Sequence, residues 1–409
     1  MFAQNINGRF SSSVYTFERF DSLNSSETYL RTYQSLNLNV TKSQFSLVTR
    51  LNFAADLSTT MDNDPRLSFY NLYLVGRNLW DVATIKIGRQ PVFNAAASGV
   101  MDGASIKIAS KGWVVKSYYG GNVPAYQKLE ITNDFANDYV LGGEIEYHGL
   151  ENIYMGLGYV DKNFKTVDYI ANRLDEELNP IQILIRNQTN QFKFVTAEAG
   201  YKMEDIFRID TKFEFDLNLE EASLFEISGR YEQIENLGID LYYNIREPRV
   251  RYNSIFSVFN FGNTKEIEAG VDYRFSRSFT GFAKFANVQY EDDNSSRVTA
   301  GFHSSYGSIS YRKTFGYAGE LDAISISTAR SFFKGMLTPS LGVAYTSYKI
   351  SEDDNKQNLL TLLAGVNYRP WSRFSFDLQL QHLQNKILNN DFRVLFKFNH
   401  WFNSNLNLM

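Results

Sequence analysis

The stretch Phe207 to Leu217 reads FRIDTKFEFDL. Phe207, Ile209, Thr211, Phe213, Phe215 and Leu217 alternate with Arg208, Asp210, Lys212, Glu214 and Asp216. Successive side chains of a β-strand point to opposite faces, so this segment, when extended, has one apolar face and one ionic face. A soluble sandwich can also alternate. Its exposed face, however, is seldom an unbroken row of charges backed by Phe, Ile and Leu.

The pattern returns along most of the chain. Glu226, Arg230 and Glu232 oppose Phe225, Ile227 and Tyr231. Asp240, Asn244 and Arg246 oppose Ile239, Leu241, Tyr243 and Ile245. Glu266, Glu268, Asp272 and Arg274 oppose Ile267, Ala269, Val271, Tyr273 and Phe275. Near the end, Arg393, Lys397 and Asn399 oppose Phe392, Val394, Phe396, Phe398 and Phe402. This repetition predicts an all-β fold, a single antiparallel transmembrane β-barrel with lipid outside and water inside. An Arg or Lys facing lipid at mid-membrane costs about 2–4 kcal/mol, so the charged face is expected to line the lumen. The expected pore-lining set is therefore Arg208, Asp210, Lys212, Glu214, Asp216, Glu226, Arg230, Glu232, Asp240, Arg246, Glu266, Glu268, Asp272, Arg274, Arg393 and Lys397. Both signs are interleaved, so neighbouring strands can pair them. The acidic excess in this sector predicts a weak preference for cations.

Composition agrees. The chain has 409 residues, only 7 Pro and no composition break, which predicts one domain over residues 4–409. Aromatics reach 15%, with 26 Tyr and 33 Phe, as suits strands and interfacial girdles. Mean hydropathy is −0.32, a value that conceals barrel strands because their apolar residues alternate. No apolar run is long enough for a transmembrane helix, and patches such as LLTLLAGV at 359–366 are strand-sized. With no cysteine, the chain holds no disulfide, no cysteine–metal site and no covalently attached haem. No cofactor is expected. A net charge of −4 gives nucleic-acid binding no electrostatic support. Met1-Phe2-Ala3 reads as the tail of a signal peptide with a mature start at Gln4, and the expected location is the bacterial outer membrane.

Alternating segments fall at roughly 6–18, 28–41, 44–57, 66–76, 79–90, 102–110, 113–121, 137–148, 151–161, 190–203 and 206–218. They continue at roughly 221–233, 236–246, 264–276, 278–291, 294–305, 306–315, 320–331, 335–349, 357–369, 371–385 and 390–402. That predicts about 22 strands, with about 18 as the lower bound, joined by short periplasmic turns and longer outer loops. Reading 247–263 as an outer loop, not as a further strand, keeps the short turns on one side. Longer connections are expected at 18–28, 57–66, 90–102, 121–137, 161–190, 291–295 and 349–357. Within one of them Val167, Ile170, Ala171, Leu174 and Leu178 recur at helical spacing, which predicts a helix from Thr166, as cap, to a stop at Pro180. It would lie on the outer surface or fold into the mouth.

Two resemblances bear on function. The terminal FRVLFKFNHWF resembles the C-terminal signal of bacterial outer-membrane proteins, although Asn403 to Met409 follow it where the family pattern ends on the aromatic. The segment IKIGRQPVFNAAASGVMDGASIKI, with Gly88-Arg89-Gln90 and Asp102-Gly103, resembles a strand–loop–strand of porin-like barrels. That resemblance implies that Arg89 points into the lumen and that the loop folds inward near a constriction. It covers about 25 residues and lacks the acidic and aromatic residues of substrate-specific relatives, so it carries no substrate.

Barrel enzymes fit poorly. His303 and Ser305 have the two-residue spacing of outer-membrane phospholipases, but Val298, Ala300 and Phe302 take the lipid side and leave His303 inward. The pairs Asp292–Asp293 and Asp353–Asp354 suit solvated loops better than an omptin-like protease site. A siderophore-type receptor needs an N-terminal plug, whereas strand pattern begins near Asn7. The leading expectation is a porin-like channel for passive diffusion of small polar solutes or ions, in contact with outer-membrane lipid. The alternative is a cysteine-free sheath around a multihaem cytochrome partner in an electron conduit.

Overall fold

The computed structural model describes residues 4–22, 25–58, 65–94, 96–123, 129–164, 169–174, 179–185, 192–204, 206–247, 263–290, 294–316, 321–349, 355–385 and 391–406. The expected signal remnant at 1–3, the loop expected over 247–263 beyond Glu247 and before Asn263, and the Asp292–Asp293 and Asp353–Asp354 pairs lie outside them.

The first half comprises β1 (Gln4–Ser22), β2 (Ser25–Lys42), β3 (Phe45–Asp56), β4 (Arg66–Leu79), β5 (Ala83–Val92), β6 (Gly99–Ser110), β7 (Trp113–Val123), β8 (Tyr139–Leu150), β9 (Ile153–Asn163), β10 (Tyr169–Leu174), β11 (Pro180–Ile185) and β12 (Phe192–Met203). The second comprises β13 (Phe207–Asp216), β14 (Glu221–Tyr231), β15 (Leu237–Arg246), β16 (Thr264–Ser276), β17 (Phe279–Gln289), β18 (Asn294–Ser304), β19 (Gly307–Gly316), β20 (Leu321–Ala329), β21 (Leu337–Tyr348), β22 (Gln357–Trp371), β23 (Phe374–Gln384) and β24 (Asp391–Leu406). All except β10 and β11 form one sheet of 22 strands. Each pairs antiparallel with its chain neighbours, β9 pairs with β12, and β24 returns to β1 from Leu406↔Gln4 to Leu395↔Tyr15. The sheet therefore closes and leaves no edge. Closure lets the wall strands pair their backbone groups with one another all the way round, the condition for spanning a bilayer with strands.

Large apolar side chains stand outside this wall. Leu241, Ile267, Phe285 and Leu341 are all more than half exposed. Bare in water they would be a liability, whereas on a closed barrel they form the lipid-facing belt. The chain is an integral barrel of the outer-membrane type. Tight turns gather at one rim. Ser43, Lys111, Asn152 and Asn236 adopt positive φ there, the backbone that such turns demand.

Three expectations need correction. The segment expected to be a helix from Thr166 is, over its described residues, a strand: β10 pairs with β11 as a separate two-stranded ribbon, Leu174 opposite Pro180 and Ala171 opposite Ile183. Helical spacing was visible locally, but the partner strand PIQILI begins at the proline itself, and a β-rich pair outweighs it. The connection expected at 18–28 is largely strand, because β1 and β2 stay paired to Ser22↔Ser25, with one shift of register after Phe20. Phe17 stacks on Tyr29 at 5.3 Å and Thr28 donates to Glu18 at 2.8 Å across that extension. The tail after Phe402 is partly wall, since Asn403 to Leu406 still pair with β1.

Candidate functional site

Residues opposite one another in a ladder share a face, so the register carries the charged face of β13 around the barrel. Lys212 stands between Glu198 and Glu226, Arg208 opposite Arg230, and Arg230 opposite Asp240. Asn244 stands opposite Glu266, and Gly270 opposite Lys284. Arg230 is the hub. Its Nη1 donates to Asp240 at 2.9 Å and Asp272 at 2.8 Å, and its Nε donates to Glu232 at 2.7 Å. Arg297 joins Glu266 at 2.6 Å and Glu268 at 2.8 Å, and Lys284 joins Glu268 at 3.0 Å. Arg208 pairs with Asp210 at 2.6 Å, and the Tyr154 hydroxyl donates to the same carboxylate at 2.8 Å. Lys116 continues the row to Glu144 and Glu146. A groove of about 610 Å³ runs along this charged arc between Arg208 and Arg297.

The remaining predicted residues are distributed as follows. Glu214 and Asp216 are buried at the far end of β13. Arg246 stands opposite Leu224 and Thr264, and Arg274 opposite Thr280, both exposed. Arg393 pairs with the fully buried Asp391, while Lys397 stands opposite Asp377 and Ser13. At the mouth, burial pushes the Glu247 carboxyl up to about 7, reinforced by Glu221 and Asp216. His303 stands opposite Thr280 and Ser308 on the charged side and stacks on Phe282 at 4.9 Å.

Lys116, Glu144, Glu146, Tyr154, Lys284 and Arg297 complete the network and were not among the expected residues. The signal was present. Glu144 and Glu146 alternate with Ile145 and Tyr147, and Lys284 sits between Ala283 and Phe285. Their weight came from partners elsewhere in the chain, which alternation alone does not reveal.

The next arc is different. Between β19 and β22 the same face carries Ser308 with Ser327 at 2.9 Å and Ser310 with Ser325 at 2.8 Å. Gly342 follows opposite Ser327, and Gly365 stands opposite Ser340. A shallow cavity of about 680 Å³ extends from His303 to Gln379 over these small side chains.

The loop after β5 folds onto the charged side. Ala96 is buried with Val92, Met101, Tyr118, Val140, Val160 and Phe194, residues that come from β5, β6, β7, β8, β9 and β12. Asn94 accepts from the Ala96 amide at 2.9 Å, and Lys162 donates to the Ser98 carbonyl at 3.0 Å. The small residues of ASGV allow this close approach, as the strand–loop–strand resemblance implied.

Arg89 departs from its expectation. It pairs in register with Leu72 and Asp102 and follows Ile87, which pairs with Leu74; Leu72, Leu74 and Ile87 are exposed members of the apolar belt. Its guanidinium forms a two-pronged bridge to Asp102 at 2.7 and 2.8 Å, both side chains being 5% exposed. Arg89 therefore lies on the outer wall, and Gln90 faces the other way, accepting from Ser105 at 2.6 Å. The glycines of the motif have a backbone reason. Gly88 has φ of 122°, and a Cβ there would meet the Leu72 carbonyl at 2.4 Å; Gly88, Gly103 and Gly120 stand in one cross-strand row. Glycine permits both the positive φ and the close strand approach.

Among the described residues no group of three or more His, Asp or Glu is arranged to hold a metal ion. No family model and no curated protein matches the chain. Solved structures do resemble it in shape. The P pilus usher (PapC) translocation pore aligns over 97% of this chain and 99% of that one, with 10% identity and a TM-score of 0.47. OccAB1 of Acinetobacter baumannii aligns over 98% and 96%, with 8% identity and a TM-score of 0.46. Pseudomonas aeruginosa OpdK, solved with vanillate, aligns over 98% and 99%, with 8% identity and a TM-score of 0.43. At that distance the likeness is one of outline, and the functional reading rests on this chain's own residues.

Proposed function

We propose that this barrel is a porin-like channel through which small polar solutes or ions diffuse passively across the outer membrane. The observation that carries the reading is the paired charge row on the face opposite the apolar belt, centred on Arg230 with Asp240 and Asp272. Charges of both signs on a wetted wall give permeating ions a landscape of shallow attractions and barriers, without covalent chemistry. Pore-lining roles fall to Arg208, Asp210, Lys212, Glu226, Arg230, Asp240, Glu266, Glu268 and Asp272, together with Lys284 and Arg297. Arg89 is not among them. The loop over Val92, Met101 and Tyr118 supplies steric sieving at the outer end.

The test is conductance of the purified native protein in planar bilayers, with an absorbance scan of the same sample. Steady conductance from haem-free material is the expected result. A closed, haem-rich complex would overturn it and make the barrel the sheath of an electron conduit.

A further inference from the structure

Two neighbouring loops take opposite sides of the wall. The loop after β5 folds onto the charged face, whereas residues 129–138, between β7 and β8, lie against the outer face. The register establishes this. Asp102 stands opposite Gly121, and Ala104 opposite the exposed Tyr119, on the same side as Ile106 and Ile87. A Cβ on Gly121 would meet Thr132 at 2.4 Å and Phe135 at 2.6 Å, so the strap passes directly over the outside of β7.

The strap is tied down. The Arg89 guanidinium, fixed by Asp102, donates to the Glu130 carbonyl at 2.7 Å, and the Thr132 amide donates to Asp102 at 2.9 Å. The Thr132 hydroxyl donates to the Asn122 carbonyl at 3.2 Å, the Asn122 amide to Asp138 at 3.1 Å, and Asn163 to the Asn137 carbonyl at 2.7 Å. Charge-assisted bonds out of water are the strong ones, so the strap cannot collapse onto the wall or swing away cheaply. What it encloses is apolar. A slot of about 640 Å³ lies between Leu129, Ile131 and Phe135 of the strap and Phe69, Leu72, Ile87 and Ala104 of the wall. That volume lies within the range of about 300–1,000 Å³ typical of ligand pockets. Ile131 is 75% exposed and Ile87 60%.

We propose that this slot holds the acyl chain of a membrane lipid. It is continuous with the lipid-facing belt, because Leu72 and Ile87 belong to both. Its Arg89 is already engaged by Asp102 and Glu130, so recognition rests on the chain and not on an anionic headgroup. Water in a slot of this lining would find few partners, and a flexible hydrocarbon from the adjoining leaflet is the solute at hand. The buried ion pair then serves as the fastener of a lipid clip, which accounts for a charge pair on the apolar side of the wall.

The experiment uses the full chain in liposomes containing phosphatidylethanolamine with a diazirine at the acyl-chain end, with adducts mapped by mass spectrometry. Labelling is expected to concentrate several-fold on the peptide carrying Leu129, Ile131 and Phe135 relative to belt peptides around Leu241 and Leu341. Ala104→Trp fills the slot from an exposed wall position and is expected to remove the excess while leaving belt labelling unchanged. Heat-modifiable gel mobility checks that this variant is folded. Ile131→Gln, at an open position, is a second probe that leaves the wall intact and is expected to lower strap labelling. Uniform labelling, or excess labelling that survives both variants, overturns the proposal. Adducts or crosslinks joining Ile131 to a second copy would also overturn it, making the strap a contact between barrels.

Discussion

The charged arc from β13 to β18 and the hydroxyl arc from β19 to β22 belong to one wall with one alternation, yet they are built for different work. In the first, long ionised side chains recur along the inward face and are held by cross-strand partners, as Arg230 is by Asp240 and Asp272. In the second, inward positions are mostly small (Ser, Gly and Ala, with Arg312 and Leu363 among them), and the hydroxyls of Ser308 and Ser310 bond across to Ser327 and Ser325. The lesson is that a period of two constrains the lipid side strictly and the water side hardly at all. Apolar residues must face lipid in both arcs, whereas anything polar or small satisfies water. The inner composition is therefore free to be set by function.

The largest effect expected contrasts the two sides of β15. Leu241→Arg puts a cation in the lipid belt and should destabilise the barrel by about 2–4 kcal/mol if near mid-membrane. Tyr242→Arg, one residue along, places the same charge beside Glu226 and should change stability by less than about 1 kcal/mol. Denaturant titration of both variants in lipid measures the difference. Equal costs would break the assignment of faces.

Arg230→Gln comes next. It leaves Asp240, Asp272 and Glu232 without their shared cation, so reversal potentials in a KCl gradient should move towards cation selectivity. The shift should fade near 1 M salt, where screening acts over about 3 Å. An unchanged reversal potential would mean that the charged arc does not meet the ion path. Ser325→Asp introduces a carboxylate into the hydroxyl arc. If the charged arc dominates the path, its shift should be in the same direction and smaller than that of Arg230→Gln. A larger shift would invert the comparison.

The smallest effect concerns pH at the mouth. Glu247 has its carboxyl raised to about 7, so the folded state favours the neutral form. The stability this lends is fully present below the ordinary carboxylate value of about 4.3 and is lost as pH rises through about 7. Protection factors for amides around 216–221, with the intrinsic pH dependence of exchange divided out, should fall between pH 5 and 8 in the parent and show little change in Glu247→Gln. The same pH response in both would exclude Glu247 as the cause.

Much of the fold was legible beforehand. FRIDTKFEFDL and its repeats announced the strands, their number and their two faces, because alternation is a local property that lipid enforces at every step. The site was legible only as a face. Lys284 and Arg297 look ordinary in sequence and matter because Glu268 lies between them in space. Ala171 and Leu174 suggested a helix because their partners, Ile183 and Pro180, lie further along the chain.

By itself the sequence determined a single closed barrel with an apolar outside, since no other arrangement shelters so many half-apolar strands. Only the tertiary structure decided which charges meet, which way each loop folds, and that Arg89 faces outward while Gln90 faces in. Those outcomes depend on register between strands and on what a loop can reach. A buried Arg89–Asp102 pair becomes acceptable on the apolar wall only once residues 129–138 cover it.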